Sequence, residues 1–177
     1  MMDWMQDGLP PMKVAVNVSP RCVSEGVLLP AVREALQRST LPADLLEIEI
    51  TESVPVEDPG ILVEQISLLK EMGIDVSLDD FGSGFCSLAY VNVFQVSKLK
   101  LDKSLIDSLR MDGNGMVVLE SMVSMSRKLG LNIVAEGVET EDQARLLGEM
   151  GCDIVQGYFY GKPMPASEVM DHAFVPS

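Results

Sequence analysis

Apolar, β-branched runs alternate along the chain with stretches of helical spacing, and this alternation restricts the fold more than any other feature. Strands are expected at residues 14–18, 45–51, 74–78, 96–101, 131–135 and 153–159. Helices are expected at 28–38, 60–72, 116–129, 141–150 and 166–174. Such alternation builds βαβ units, and hence a parallel sheet with helices outside it. Gly73, Gly130 and the pair Gly148 and Gly151 stand where helix C-caps belong. Thr140 and Gln143 frame a capping box at the start of the helix at 141–150. A closed (β/α)₈ barrel needs eight strands and typically about 250 residues, and this chain has 177. The expected fold class is therefore α/β, an incomplete TIM-like (β/α) barrel of about six βα units. Residues 1–12, with Gly8, Leu9, Pro10 and Pro11, read as a frayed helix end and a turn.

Barrels of this kind place their chemistry at the C-terminal ends of the strands. Read in order, those ends carry Asn17, Glu49 with Glu52, Asp79 with Asp80, Lys100, Glu136 with Glu139, and Gln156. Along residues 46–52, Ile48 and Ile50 share one face and Glu47 and Glu49 the other. Helices cover the outside of a barrel, so the isoleucines belong outside and the glutamates inside, where each needs a partner. Carboxylates with one neutral amide form an all-oxygen ligand set that suits Mg²⁺ or Mn²⁺. Asp79 is placed to bridge two such ions, and Lys100 to hold a water or a developing phosphate charge.

Asp79 and Asp80 would face opposite ways in a regular strand. They converge only if the strand ends and the chain bends, for which Gly82 and Gly84 supply the freedom. Taken singly, each acid is a solvated strand end or a helix cap. Glu139 stands at a helix start, where an acid is favoured in any case, and Lys98 reads as a surface residue. Recurrence at successive strand ends is what these simpler readings leave unexplained.

Charge narrows the partners. A formal net charge of −14 and a pI near 4.3 argue against polymeric nucleic acid. A small phosphorylated ligand remains compatible if divalent cations screen the carboxylates. No apolar run is long enough to span a bilayer, and no signal-peptide layout is present. Cys22, Cys86 and Cys152 suggest neither a disulfide framework nor a zinc site. A cytoplasmic chain with reduced thiols is the natural expectation, and His172 reads as a surface residue.

The segments 16–19 (Val-Asn-Val-Ser), 49–52 (Glu-Ile-Thr-Glu), 79–88, 98–102 (Lys-Leu-Lys-Leu-Asp), 134–140 and 156–163 together resemble the bacterial EAL domain, in order and over nearly the whole chain. The resemblance implies a modified TIM-type barrel that hydrolyses cyclic di-GMP to linear pGpG with two Mg²⁺ or Mn²⁺ ions. It implies Asn17, Glu49 and Asp79 as ligands of one ion and Asp79, Asp80 and Glu136 as ligands of the other. Glu136 is then the general base, Lys100 contacts the catalytic water, and Gln156 orders the water and metal site. Glu52 and Glu139 hold the loop that follows Phe81, with Gly82 and Gly84 in it. Phe85 and Cys86 depart mildly from the family pattern.

The front of the chain departs more. Nothing in residues 1–13 matches the family's first two strands or the Glu-Ala-Leu motif, which supplies a metal ligand and a phosphate-gripping arginine. Residues 1–12 are expected to be the remnant of a preceding helix and turn, and 13–177 a truncated EAL-type barrel holding the family's third to eighth strands. Unpaired strand edges and uncovered Val14, Val16 and Val155 are then expected, with self-association as a homodimer or through those edges. Weakened cation sites and impaired hydrolysis follow. The alternative from a different class is a non-catalytic module that binds cyclic di-GMP or a protein partner.

Overall fold

The structure is a computed structural model that describes residues 2–51, 59–82, 91, 93–109 and 113–169. Helix α1 (Met2–Gln6) precedes strand β1 (Val14–Val18), α2 (Pro20–Ser24) and α3 (Leu28–Ser39). Strand β2 (Leu46–Thr51), α4 (Pro59–Glu71) and β3 (Asp75–Phe81) follow. Next come β4 (Lys98–Leu101), α5 (Lys103–Ser108), α6 (Gly113–Lys128), β5 (Asn132–Ala135), α7 (Glu141–Met150) and β6 (Ile154–Val155). The strands form one six-stranded sheet in the order β1-β2-β3-β4-β5-β6. Every neighbouring pair is parallel. This is the expected α/β architecture, and the sheet does not close, so β1 and β6 are edges among the described residues.

Burial explains why the sequence adopts it. Ile48, Ile50, Val76, Leu78, Leu99, Leu101 and Ile133 project from alternate positions into one apolar layer. Leu62, Ile66 and Leu69 of α4, Leu119 and Val123 of α6, and Leu147 of α7 complete that layer from the helix side. Each such side chain gains roughly 2 kcal/mol on leaving water. The apolar layer outside the sheet thus holds the fold together and leaves the inner face free to carry charge.

Caps set the helix ends. Thr140 and Gln143 form the expected reciprocal capping box on α7. Gly73, Gly130 and Gly151 are left-handed after their helices, whereas Gly148 lies within α7. Three strands differ from expectation, β4 by starting at Lys98 rather than at Val96. β3 runs on to Phe81 rather than ending at Leu78. β6 covers two residues instead of seven, because the chain turns away after Gln156. There Val138 N–H donates to Gln156 O (3.0 Å) and Phe159 N–H to Val138 O (3.0 Å). At 166–168 a short 3₁₀ turn opens the segment where a helix is expected, Val169 is helical, and residues 170–174, with His172, lie outside the described residues. Of the edge valines, Val16 is widely exposed while Val14 and Val155 are half-buried.

Candidate active site

Strand register fixes what the inner face presents. Asn17 lies beside Glu49, Glu49 beside Ser77, and Thr51 beside Asp79. Lys98 and Lys100 of β4 share that face, as do Glu47 and Glu49 of β2. Glu47, Glu49, Asp79 and Lys100 are all buried. The Lys100 ammonium reaches Glu49 Oε1 at 2.8 Å, Asp79 Oδ1 at 2.9 Å and Glu136 Oε1 at 2.8 Å. Burial works against its charge, but Glu136, Glu49 and Asp79 outweigh that and raise its pKa, so it stays protonated.

Glu136 shifts upward too, for a different reason. Burial raises its pKa, Lys100 opposes, and the nearby Asp79 and Glu49 charges add to the rise. A carboxylate with its pKa above the ordinary value is better matched to accepting a proton near neutral pH.

Asp79, Asp80 and Glu136 bring one carboxylate oxygen each within 4.8 Å of one another. Their convergence comes from a route the sequence does not show. Leu78 pairs with Leu99 and Phe81 with Leu101, so β3 spends one more residue than β4 over that step. The extra residue is a β-bulge, with Asp80 left-handed at φ 57°. Adjacent acids can then face one site inside a continuing strand, which corrects the expectation that the strand must end at Leu78. Gly82, at φ 96°, makes the turn just beyond, and a Cβ there would lie 2.5 Å from Leu105 Cδ1. Gly84 and Glu52 lie outside the described residues.

The donor set fits a divalent cation. It is all oxygen, and Lys100 is outnumbered by the carboxylates around it. Asp79 Oδ1 is buried and pairs with Lys100 at 2.9 Å, and the carboxylate keeps lone-pair capacity for a cation. Glu49 stands outside the three-carboxylate group and is joined to it through Lys100. Asn17 and Gln156 are both exposed, one at the end of β1 and the other just after β6. Glu139 is tied by its carboxylate to Lys103 at 3.0 Å. The stem of Lys103 crosses Gly137 (φ 71°), where a Cβ would lie 2.4 Å from Lys103 Cγ.

Lys98 is not the surface residue it was expected to be. Its side chain is 12% exposed, in contact with buried Glu47 and 3.9 Å from Asp75. Lys13 meets Asp75 from β1's side. The period-two alternation that puts Lys100 inside puts Lys98 there as well, so the signal was available. Lys103 carried no comparable signal, because its role depends on how closely the 136–139 segment approaches α5.

The sequence matches the EAL domain over residues 1–163. It is 37% identical over 167 residues to the bifunctional diguanylate cyclase/cyclic di-GMP phosphodiesterase MucR of Pseudomonas aeruginosa, covering 94% of this chain and 24% of that protein. The chain spans about a fifth to a quarter of the length of curated relatives of this kind. Its structure superposes on the EAL domain of Mycobacterium smegmatis DcpA with a TM-score of 0.90 and 30% identity, covering 96% of this chain and 76% of that one. Klebsiella pneumoniae BlrP1, solved with manganese and cyclic di-GMP, gives 0.80 and 27%, covering 90% of this chain and 41% of that one. Sequence match and superposition agree, and the chain belongs to the EAL domain family.

Proposed function

We propose that this chain is a phosphodiesterase-type EAL domain that takes cyclic di-GMP and opens one of its phosphodiester bonds to give linear pGpG, with Mg²⁺ or Mn²⁺ as cofactor. The observation that carries this reading is the gathering of Asp79, Asp80 and Glu136 beside buried Lys100 at the C-terminal end of the sheet. Asn17, Glu49 and Asp79 would hold one ion, and Asp79, Asp80 and Glu136 the other. Bound there, divalent ions supply Lewis acidity and lower the pKa of a water. Glu136 accepts the proton of the attacking water, a role suited to its raised pKa. Lys100, held as an ammonium, orients that water or meets the charge developing on the phosphate. Gln156 orders the water, and Glu139 steadies the loop beginning at Gly82. Glu52 and Gly84 join this reading from the sequence motif alone.

Turnover by this chain alone is expected to be slow, because the sheet is open and Asn17 and Gln156 stand at its two rims. Association of two copies through those rims belongs to the same reading, since Val16 and Ile154 are 43% and 46% exposed. A cytoplasmic setting fits the free thiols of Cys22 and Cys152. Among the described residues no helix is long and apolar enough to cross a membrane. The test is chromatographic assay of cyclic di-GMP conversion to pGpG with Mn²⁺, using Asp79→Asn as control. Conversion lost in the variant supports the reading. Binding without conversion would assign the chain to the non-catalytic alternative, and neither would overturn both.

A further inference from the structure

We propose that Lys98 is a positioning residue for Lys100; the proposal rests on the phosphodiesterase reading only for what Lys100 then does. Two lysines on the inner face of β4 meet two glutamates on the inner face of β2, across β3. Between them stands Ser77, small and fully buried, in register with both Glu49 and Lys98. The charges sort by level. Lys98 takes Glu47 and approaches Asp75, which Lys13 also meets. Lys100 takes Glu49 and reaches on to Asp79 and Glu136.

The Lys98–Glu47 pair is out of water, with side chains 12% and 8% exposed. A buried carboxylate that loses its cation recruits another or is neutralised. If Lys98 were absent, the next cation on the same face of the same strand is Lys100. By satisfying Glu47, Lys98 keeps the Lys100 ammonium directed upward to Asp79 and Glu136.

The test is the Lys100 ammonium signal in ¹H–¹⁵N NMR of the full chain, in the wild type and in variants. Lys98→Met should move that signal, and Lys98→Arg should leave it in place. Glu47→Gln combined with Lys98→Met should return it, since nothing then pulls Lys100 downward. A signal unmoved in Lys98→Met, or displaced equally in the double variant, would overturn the proposal and leave Lys98 a purely structural residue. Should Lys98→Met not fold, Glu47→Gln asks the same question from the other side. Lys98, left without Glu47, then competes for Glu49, and the Lys100 signal moves; no movement overturns the proposal. Mn²⁺ titration of the same proteins keeps the two readings apart. A wild type that takes up no Mn²⁺ sinks the phosphodiesterase reading, while the Lys100 signal still decides for or against Lys98.

Discussion

The inner face of the sheet has two charged levels built from the same residue types, and they are balanced differently. At the lower level Lys98 and Lys13 answer Glu47 and Asp75. At the upper level Lys100 faces Glu49, Asp79 and Glu136, with Asp80 drawn in by a bulge. A buried pair that is matched can be replaced by apolar residues at little cost. A buried cluster with surplus carboxylate must instead take up a further cation or a proton. Surplus charge, rather than charge itself, separates the site from the scaffold.

Four experiments test this contrast, from the largest effect down. Asp79→Asn removes a carboxylate from the surplus and should reduce Mn²⁺-dependent hydrolysis by about 10³-fold, read by pGpG release, with little loss of melting temperature. The lower level should behave in the opposite way. Lys98→Met leaves Glu47 buried and uncompensated and should cost at least about 3 kcal/mol in denaturant unfolding, whereas Glu47→Leu with Lys98→Met should restore most of it. Equal damage from the single and double changes would erase the distinction between the levels.

Asp80 probes the bulge that makes the upper level different. Both Asp80→Gly and Asp80→Ala delete the carboxylate, but only alanine places a Cβ in the left-handed conformation at φ 57°. The alanine variant should be less stable than the glycine variant by about 1 kcal/mol. Equal stability would mean that the bulge relaxes.

The smallest effect concerns Glu136. Its folded-state pKa is raised, chiefly by burial, so its protonated form contributes stability that is complete below the unfolded-state pKa. That contribution is lost as pH rises through the folded-state value. Without added metal, Glu136→Gln should therefore be more stable than wild type at pH 8, and the gap should close toward pH 4. Thermal melts across that range read the sign, and a gap that widens in acid would contradict it.

Much of this was legible in the sequence because alternation and strand-end position are local signals. The strand order, the capping box of Thr140 and Gln143, and the inward direction of Glu47, Glu49 and Lys100 follow from periodicity. The open sheet followed from counting strands against chain length. What escaped depends on neighbours. The bulge at Asp79 and Asp80 exists only as a mismatch between β3 and β4, so β3 alone looked as if it must end at Leu78. The shortness of β6 reflects hydrogen bonds from the 138–159 region that compete with the ladder after Gln156. Lys98 differs in another way: alternation puts it on the inner face beside Lys100, although a lysine is ordinarily a surface residue. For Glu52 and Gly84, motif resemblance remains the whole of the case.

The most direct measurement is a calorimetric titration of Mn²⁺ into the purified chain, the Asp79→Asn variant and the Glu47→Gln variant. Saturable binding in the wild type, lost with Asp79→Asn and kept with Glu47→Gln, though weaker because Lys98 then turns to Glu49, is the expected result. It would place the cation at the surplus level and leave the matched level as scaffold. Binding that survives Asp79→Asn, or is lost as completely with Glu47→Gln, would contradict that division.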